Sequence, residues 1–320
     1  MKKTLITLLS AFIGLNSYSQ TNIFSADVAQ GEKLIEAYFT PMAESFGAGL
    51  NSGWYNTAKP HSLGGFDLTF TVNTVIIPNS AETFKIGDKF GNIFKSSNNT
   101  SSTIFGSSST TKMYYDPSSV PGSDSITFNM PGGFKTPAIP LPIIQAGIGL
   151  IKNTAIDIRY MPMMNVGDNI NVNIFGIGVK HDLLQWIPGI GDAIPMSLSL
   201  QGGYTSLNSE LKLEIDNTIQ EVSLKTKATT INLVASKKIL MVTGYVGLGY
   251  NSATTNFVTD ADFNLGGIQF DEKIEVAFES NKNLRTNIGL RLNMTVVTIQ
   301  ADYTFAEYPT ATLGLGVSLR

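Results

Sequence analysis

Apolar and polar residues alternate with a period of two along the second half of the chain. In residues 287–293, leucine and isoleucine occupy one set of alternate positions, whereas Asn287, Gly289, Arg291 and Asn293 occupy the other. Residues 297–305 repeat the arrangement after a turn near Thr295. Because successive side chains of a β-strand point to opposite faces, this pattern predicts strands with one apolar face and one polar face.

Segments of this kind recur upstream and at the C-terminal end. They lie at residues 66–73, 144–150, 156–160, 172–180, 196–204, 229–236, 238–250 and 313–320. The predicted turns at one end are short, at Lys152–Asn153, Lys237–Lys238 and Thr295, whereas the connections at the other end are long and polar. This asymmetry is typical of outer-membrane barrels, and strands of about ten residues can cross a membrane at a tilt.

Aromatic residues near strand ends, where lipid headgroups would lie, favour the same interpretation. They are Tyr160, Tyr204, Tyr250, Tyr303 and Phe305. We therefore predict an all-β fold, an antiparallel transmembrane β-barrel of roughly 10–14 strands with a short N-terminal helical or plug segment. A soluble β-sandwich also alternates, and the alternation alone leaves it open.

The strand at residues 172–180 changes its apolar phase near Phe175 and Gly176, which predicts a β-bulge there. The following sequence HDLLQWIPGIGD predicts a short amphipathic turn that anchors Trp186 at the membrane interface.

Composition excludes several classes of protein. Charged residues make up 15% of the chain, which is low against roughly 25% in average soluble domains, and little charge is left to cover a water-facing surface. The net charge of -3 offers no basic stripe, so we expect no nucleic-acid partner. The chain has no cysteine, which excludes disulfides, thiolate metal sites and a lipidated cysteine.

The first residues are typical of an export signal. Lys2 and Lys3 precede an apolar run from Leu5 to Leu15, and Ser19 is the predicted cleavage position. We expect residues 1–19 to be a signal peptide, residues 20–60 an N-terminal helix and glycine-rich plug-like segment, and residues 61–320 the barrel. The expected location is the outer membrane of a Gram-negative bacterium after cleavage of the signal peptide.

The N-terminal segment and the loop at residues 96–111 each have a sequence pattern that predicts a local structure. Ser25 and Asp27 are candidate caps of the N-terminal helix, and Gly47 and Gly49 are expected to end it. The Ser/Thr/Asn-rich residues 96–111 predict an exposed, mobile loop.

If the apolar strand faces contact lipid, the charged residues on the opposite faces point into the barrel. These lumen-facing candidates are Asp67, Asp157, Arg159, Arg285, Arg291 and Asp302. They could pair and brace the wall, or they could line a passage for a solute. Glycines on the same faces, such as Gly176 and Gly178, leave room for a plug.

The sequence GWYNTAKPHSLGGFDLTF, which lies between a glycine-rich segment and alternating strands, resembles an uncharacterised outer-membrane β-barrel family of Gram-negative bacteria. More distantly, it is similar to the long-chain fatty-acid transporter family. In those transporters an N-terminal hatch with an Asn-Pro-Ala motif plugs the barrel. The resemblance implies that Asn56, Thr57 and Ala58 belong to a plug, with Thr57 standing where the motif has proline.

Residues that could catalyse a reaction or bind a metal ion are scarce. The only histidines are His61 and His181, no Gly-x-Ser-x-Gly sequence frames a nucleophile, and no histidine pair has metal-ligand spacing. We therefore expect no catalytic residue, metal or cofactor. His181–Asp182 leaves an outer-membrane barrel hydrolase as an alternative.

The predicted function is a non-enzymatic outer-membrane barrel that passes or binds a small solute, which the resemblance would make hydrophobic. The expected partners are outer-membrane lipid, the barrel-assembly machinery and that small hydrophobic solute. A structural or surface-interaction barrel, whose long loops contact other proteins, is a further alternative.

Overall fold

The computed structural model describes residues 21–86, 94–115, 126–130, 132–165, 170–187, 195–215, 218–265, 268–279 and 283–319. The expected signal peptide lies outside these described residues. Of the described part of the chain, no helix is both long and apolar enough to span a membrane.

The described residues form one α-helix, sixteen strands and two short 3-10 turns. The helix is α1 (Thr21–Asn51), and the 3-10 turns are Asn79–Ala81 and Leu184–Trp186. The strands are β1 (Phe66–Ile76), β2 (Thr83–Lys85), β3 (Phe94–Ser96), β4 (Thr100–Ser102), β5 (Thr111–Tyr115), β6 (Ile126–Met130), β7 (Ala138–Leu150), β8 (Thr154–Asn165), β9 (Ile170–Asp182), β10 (Ser197–Ile215), β11 (Thr218–Ile239), β12 (Val242–Leu265), β13 (Ile268–Glu279), β14 (Asn283–Met294), β15 (Val297–Phe305) and β16 (Thr310–Leu319).

Eleven strands form a closed antiparallel barrel. Their order is β11-β10-β9-β8-β7-β1-β16-β15-β14-β12-β13, and β11 also pairs with β12 to close the sheet. Strand β12 pairs with β14 along its first half and with β13 along its second half, so β13 and β14 share one position. The barrel therefore has ten strand positions, which confirms the predicted fold.

The two faces of the barrel wall differ in the way that the alternation predicts. In β14 and β16, the exposed positions in mid-strand carry isoleucine, leucine and valine, and the buried positions carry polar residues or glycine. Strand β1 repeats this, with Leu68 and Phe70 exposed and Thr69 and Thr71 buried. The outer surface of the barrel is consequently an apolar band, and its inner surface is largely polar.

The short turns lie where the sequence predicts them at two of three places. Lys152, Asn153 and Thr295 have positive φ values of 55°, 46° and 58°, as tight turns require. The third prediction was wrong, because Lys237 and Lys238 lie inside β11 and the turn is at Leu240–Met241. Both lysines are exposed at the rim of the barrel, where a charged side chain can remain hydrated within a strand.

The predicted bulge near Phe175 and Gly176 was also wrong. Strand β9 pairs with β10 in continuous register through these residues. The apolar phase changes because Ile174 points inward and is buried in the cluster that includes α1, whereas Ile177 and Val179 point outward. The wall irregularity of this region lies instead in β8, between Met161 and Met164.

Helix α1 fills the end of the barrel that carries the long connections. We call this end the upper end of the barrel and the end with the short turns the lower end. The helix buries Leu34, Ile35, Tyr38 and Phe39 against the upper wall. The ring of Phe39 stacks on that of Phe257, with centroids 5.4 Å apart. An apolar helix face thus explains why the inner wall is apolar at this end.

The helix does not begin or end where the sequence suggested. Ser25 and Asp27 lie within it, and it continues through Gly47 and Gly49 to Asn51. A Cβ atom on Gly49 would collide with the side chain of Leu141 on β7. Glycine is therefore present to bring the helix against the wall, not to stop the helix.

The loop at residues 96–111 was expected to be exposed throughout, and the structure corrects this. Thr103 and Phe105 are buried, the hydroxyl of Thr103 donates to the carbonyl of Ala81 at 2.6 Å, and the amide of Ile104 donates to the carbonyl of Tyr38 at 3.1 Å. Polar composition did not preclude burial here because the loop packs against α1.

Replacement of Phe39 by alanine should destabilise the folded barrel by about 3–5 kcal/mol, because it removes a buried ring from the contact between helix and wall. Glu36→Ala, an exposed position on the same helix, should change stability by less than about 0.5 kcal/mol. The folded barrel is expected to migrate differently from the boiled protein in gel electrophoresis. The denaturant concentration at which half of this folded form is lost measures the stability of both variants. Equal midpoints for the two variants would contradict the packing of α1 inside the barrel.

Candidate functional site: the plugged lumen

The residues that follow α1 cross the inside of the barrel. We call residues 52–61 the plug segment. Above it, the hydroxyl of Tyr38 on α1 donates to Gly132 in the long β6–β7 connection at 3.0 Å. Below it, the amide of Gly64 donates to Gly149, close to the short Lys152–Asn153 turn, at 3.1 Å. The plug segment therefore runs from the end with long connections towards the end with short turns.

Trp54 lies in a close-fitting pocket of the inner wall, which we call its seat. Its side chain is 0% exposed, and the guanidinium carbon of Arg159 lies 3.6 Å from its ring centroid. On the neighbouring strands β9 and β10, a Cβ atom on Gly178 or Gly203 would come within 2.6 Å or 2.4 Å of the indole. The indole can lie flat against the wall only because both residues are glycine.

Arg159 joins the wall to the end of α1. Its Nη1 donates to the carbonyl of Leu50 and its Nη2 to the carbonyl of Ser52, each at 2.8 Å. Its Nε donates to the side chain of Gln145 at 2.9 Å. The last carbonyls of a helix lack partners within the helix and carry partial negative charge, so a buried guanidinium both satisfies and stabilises them.

Asn73 on β1 holds the same chain segment from another side. Its amide nitrogen donates to the carbonyl of Gly49 at 2.9 Å and to that of Ser52 at 3.1 Å. The carbonyl of Ser52 therefore accepts hydrogen bonds from both Arg159 and Asn73. The transition from helix to plug segment is fixed by two buried side chains of the wall.

The residues after Trp54 contact the opposite wall. The rings of Tyr55 and Tyr245 meet edge to face at 6.1 Å, and a Cβ atom on Gly247 would collide with the Tyr55 hydroxyl. Asn56 accepts a hydrogen bond from Nη1 of Arg291 at 2.7 Å and donates to Gln300. The plug segment thus spans the lumen from β9 and β10 to β12, β14 and β15.

Thr57 and Ala58 contact strand β11. The hydroxyls of Thr57 and Ser236 are 3.3 Å apart, and the amide of Ala58 donates to the Ser236 hydroxyl at 2.9 Å. All three plug candidates, Asn56, Thr57 and Ala58, are buried inside the barrel.

The structure places the six lumen-facing candidates inside the barrel, where all are buried. Arg159 and Arg291 bind the chain that fills the lumen, and Asp67 lies 3.1 Å from Nε2 of His61 at the lower end of the plug segment. The partners of these residues include the backbone carbonyls of Leu50 and Ser52 and the side chains of Asn56 and His61.

The other three candidates belong to the wall. Arg285 donates twice to Asn232, at 3.1 Å and 2.8 Å, and Asp302 accepts from Tyr245 at 2.9 Å and from Asn287 at 2.7 Å. Asp157 lines a small cavity between plug and wall, together with His61, Asp67 and Lys180. The carboxylate oxygen Oδ2 of Asp157 is buried there, and the described part of the chain gives it no hydrogen-bond partner.

Sequence reasoning missed several residues that hold the plug. They are Trp54, Tyr55, Asn73, Gln145, Ser236 and Gln300. The alternation places Asn73, Gln145 and Gln300 on the same inward faces as the charged candidates. A search for amide side chains on those faces, in addition to charges, would have found these three.

His181 lies at the rim with the short turns. Its Nδ1 is 2.8 Å from the hydroxyl of Thr154, and its Nε2 accepts from the indole nitrogen of Trp186 at 2.8 Å. Trp186, the predicted interface anchor, is 61% exposed. Among the described residues, no group of three or more His, Cys, Asp or Glu could hold a metal ion.

The chain matches the model of the family of unknown function DUF6588 over residues 1–319 and therefore belongs to that family. A comparison with curated proteins gives no match.

Solved structures with similar folds are bacterial outer-membrane barrels of low sequence identity. The translocator domain of the autotransporter NalP from Neisseria meningitidis is 10% identical, with a TM-score of 0.34 over 91% of this chain and 97% of that chain. The outer membrane protease OmpT from Escherichia coli is 9% identical, with a TM-score of 0.31 over 80% and 97%. The toluene transporter TodX from Pseudomonas putida is 10% identical, with a TM-score of 0.30 over 88% and 96%.

Gly203→Val should displace Trp54 from its seat and destabilise the closed lumen by about 1–3 kcal/mol, because the new side chain would overlap the indole. Gly202→Val is the matched control, since the nearest atom to a Cβ there is Val179 Cγ1 at 3.9 Å. Tryptophan fluorescence should shift to longer wavelength in the first variant alone. Identical spectra for the two variants would contradict the position of Trp54.

Proposed function

We propose that this member of the DUF6588 family is a non-enzymatic outer-membrane β-barrel that binds or passes a small solute, with the plug segment acting as a releasable closure. The observation that carries the proposal is the way in which the plug segment is held. Hydrogen bonds and ring contacts attach it to the wall, and the residues that make them lie all round the barrel.

The outer surface of the barrel supports a position in a membrane. Long runs of outward side chains on β1, β14 and β16 are apolar and exposed, which would be costly in water and favourable in lipid. Strand β11 pairs with β12 to close the sheet, so backbone hydrogen bonds run continuously round the barrel wall. Such a barrel would reach the outer membrane through the barrel-assembly machinery.

The contacts that hold the plug segment are of a kind that can be exchanged. A hydrogen bond within a protein contributes only about 0.5–1.5 kcal/mol net, because water or a solute can replace the partner. Gln300 and Ser236 hold Asn56, Thr57 and Ala58 in this way, and the charged Arg291 adds a stronger hydrogen bond to Asn56. Movement of the plug segment would open the lumen without breaking the barrel wall.

A polar lumen with aromatic residues in the plug can accommodate small solutes of mixed character. Trp54, Tyr55 and Tyr245 offer ring faces, and Asp157 and His61 offer polar groups in the cavity beside them. The resemblance to the long-chain fatty-acid transporter family suggests a hydrophobic solute.

A charge on the outer surface tests the membrane position. Leu315→Arg, in the middle of β16 and 57% exposed, should cost about 2–4 kcal/mol of folding free energy in lipid vesicles. Leu240→Arg, 89% exposed at the short turn, should cost less than about 1 kcal/mol because the interface hydrates arginine. Urea titrations in vesicles give both values, and equal costs would contradict a lipid-facing β16.

A reversible lock tests the releasable plug. The chain has no native cysteine, and the hydroxyls of Thr57 and Ser236 are 3.3 Å apart, so Thr57→Cys with Ser236→Cys can form a disulfide after small shifts. Oxidation should reduce ion conductance in planar bilayers and sugar-driven liposome swelling to background, and reduction should restore both.

The matched control is a disulfide that leaves the plug segment free. Thr226 and Thr255 face each other on β11 and β12, with hydroxyls 2.9 Å apart inside the barrel. Thr226→Cys with Thr255→Cys should conduct equally in the oxidised and reduced states. Flux that is unaffected by the plug lock, or absent in the reduced protein, would overturn the proposal of passage.

A further inference from the structure

A second cavity opens at the end of the barrel with long connections. It lies between helix α1 and the wall. Its lining includes Glu44, Gly47, Ala48 and Asn51 on α1, Asn251 on β12, Asn283 on β14, and the turn Ala306, Glu307 and Tyr308. The plug segment does not line it.

The spacing of the α1 residues makes one wall of this cavity. Glu44, Gly47, Ala48 and Asn51 have the spacing i, i+3, i+4 and i+7, so they share one face of the helix. Gly47 and Ala48 are small and leave a groove between two polar side chains, whose Cα atoms are about 10 Å apart along the axis at 1.5 Å per residue. The groove therefore has a polar group at each end and an apolar floor.

The inner end of the groove has an unused hydrogen-bond acceptor. Asn51 is only 1% exposed, and its nitrogen donates to the carbonyl of Ser252 at 3.3 Å. Its side-chain oxygen is buried and has no hydrogen-bond partner among the residues that the structure describes. Buried polar atoms are nearly always satisfied in folded proteins, so this oxygen is available to a donor that the described residues do not supply.

The outer end of the groove concentrates negative charge. The carboxylate of Glu307 accepts from Asn283 at 2.8 Å, and Glu44 is hydrogen-bonded to Tyr308. Burial raises the pKa of Glu44, the hydrogen bond from Tyr308 opposes that rise, and the charge of Glu307 adds to it. A bound cation would relieve both the burial and the repulsion.

We infer that this cavity binds a short aliphatic amine with a second hydrogen-bond donor at its far end. The ammonium group donates to Glu44 and Glu307, the aliphatic carbons lie along Gly47 and Ala48, and the far donor reaches the oxygen of Asn51. An ammonium group suits this site because it supplies several donors as well as charge. The inference goes beyond solute passage and does not require the plug segment to move.

Calorimetric titration of the full-length protein in detergent with 1,4-diaminobutane tests the site. We expect saturable binding at one site per barrel, and about tenfold weaker binding for Glu44→Gln, which removes a charge-assisted hydrogen bond. Glu36→Gln is the matched control, because Glu36 is exposed on the same helix outside the cavity, and it should bind like the native chain.

Further ligands and variants separate the two ends of the groove. Asn51→Leu should weaken the binding of 1,4-diaminobutane but not that of butylamine, which lacks the second donor. Glu307→Gln lies in an exposed turn and should weaken both ligands, so the inference remains testable if Asn51→Leu fails to fold. Heat-modifiable migration verifies the folding of each variant.

Three results with the amine ligands would overturn the inference. They are no saturable binding to the native chain, equal binding to Glu44→Gln and Glu36→Gln, and equal binding of tetramethylammonium, which has no N–H donor. Saturation by calcium chloride with no binding of diamine would assign the carboxylates to a metal ion and would also overturn it. None of these results would affect the expected behaviour of the plug lock.

Discussion

The interior volume of a closed ten-stranded barrel is the constraint on which the rest of this structure depends. Side chains alone fill a barrel of about eight strands, whereas a wider barrel leaves space that must hold water, a ligand or another part of the chain. Here α1 fills the end with long connections and the plug segment fills the middle. The inner wall matches its contents, since it is apolar around Phe39 and polar around Asn56. Gly178, Gly203 and Gly247 have no side chain, and this leaves room for the rings of Trp54 and Tyr55.

Buried arginines on the barrel wall bind the segment of the chain that lies inside the lumen. A buried guanidinium is costly unless its donors are satisfied, and Arg159 uses Gln145 and two carbonyls of the threaded chain while stacking on Trp54. If the plug segment leaves, the solute or water must take over these hydrogen bonds. The same interaction therefore holds the plug segment against the wall.

The strands and their inward faces could be predicted from sequence because alternation is a local property. It indicated β14, β15 and β16 and the burial of residues such as Arg291, yet it could not show what those residues contact. Gly49 looked like a helix end because glycine commonly is one, whereas its real neighbour is Leu141, distant in sequence. The change of apolar phase after Ile174 suggested a bulge, because the sequence of one strand does not reveal that the barrel contains an apolar helix. Both of these errors concerned the contents of the lumen, which only the closed fold defines.

The central claim, that the segment after α1 lies inside the barrel, is tested most directly by maleimide labelling of Ala58→Cys and Lys59→Cys in the folded protein. Ala58 is fully buried and Lys59 is exposed, although the two are adjacent in the chain. We expect Lys59→Cys to react rapidly and Ala58→Cys to react only after boiling in detergent. Equal labelling rates at the two positions before boiling would show that this segment does not occupy the lumen.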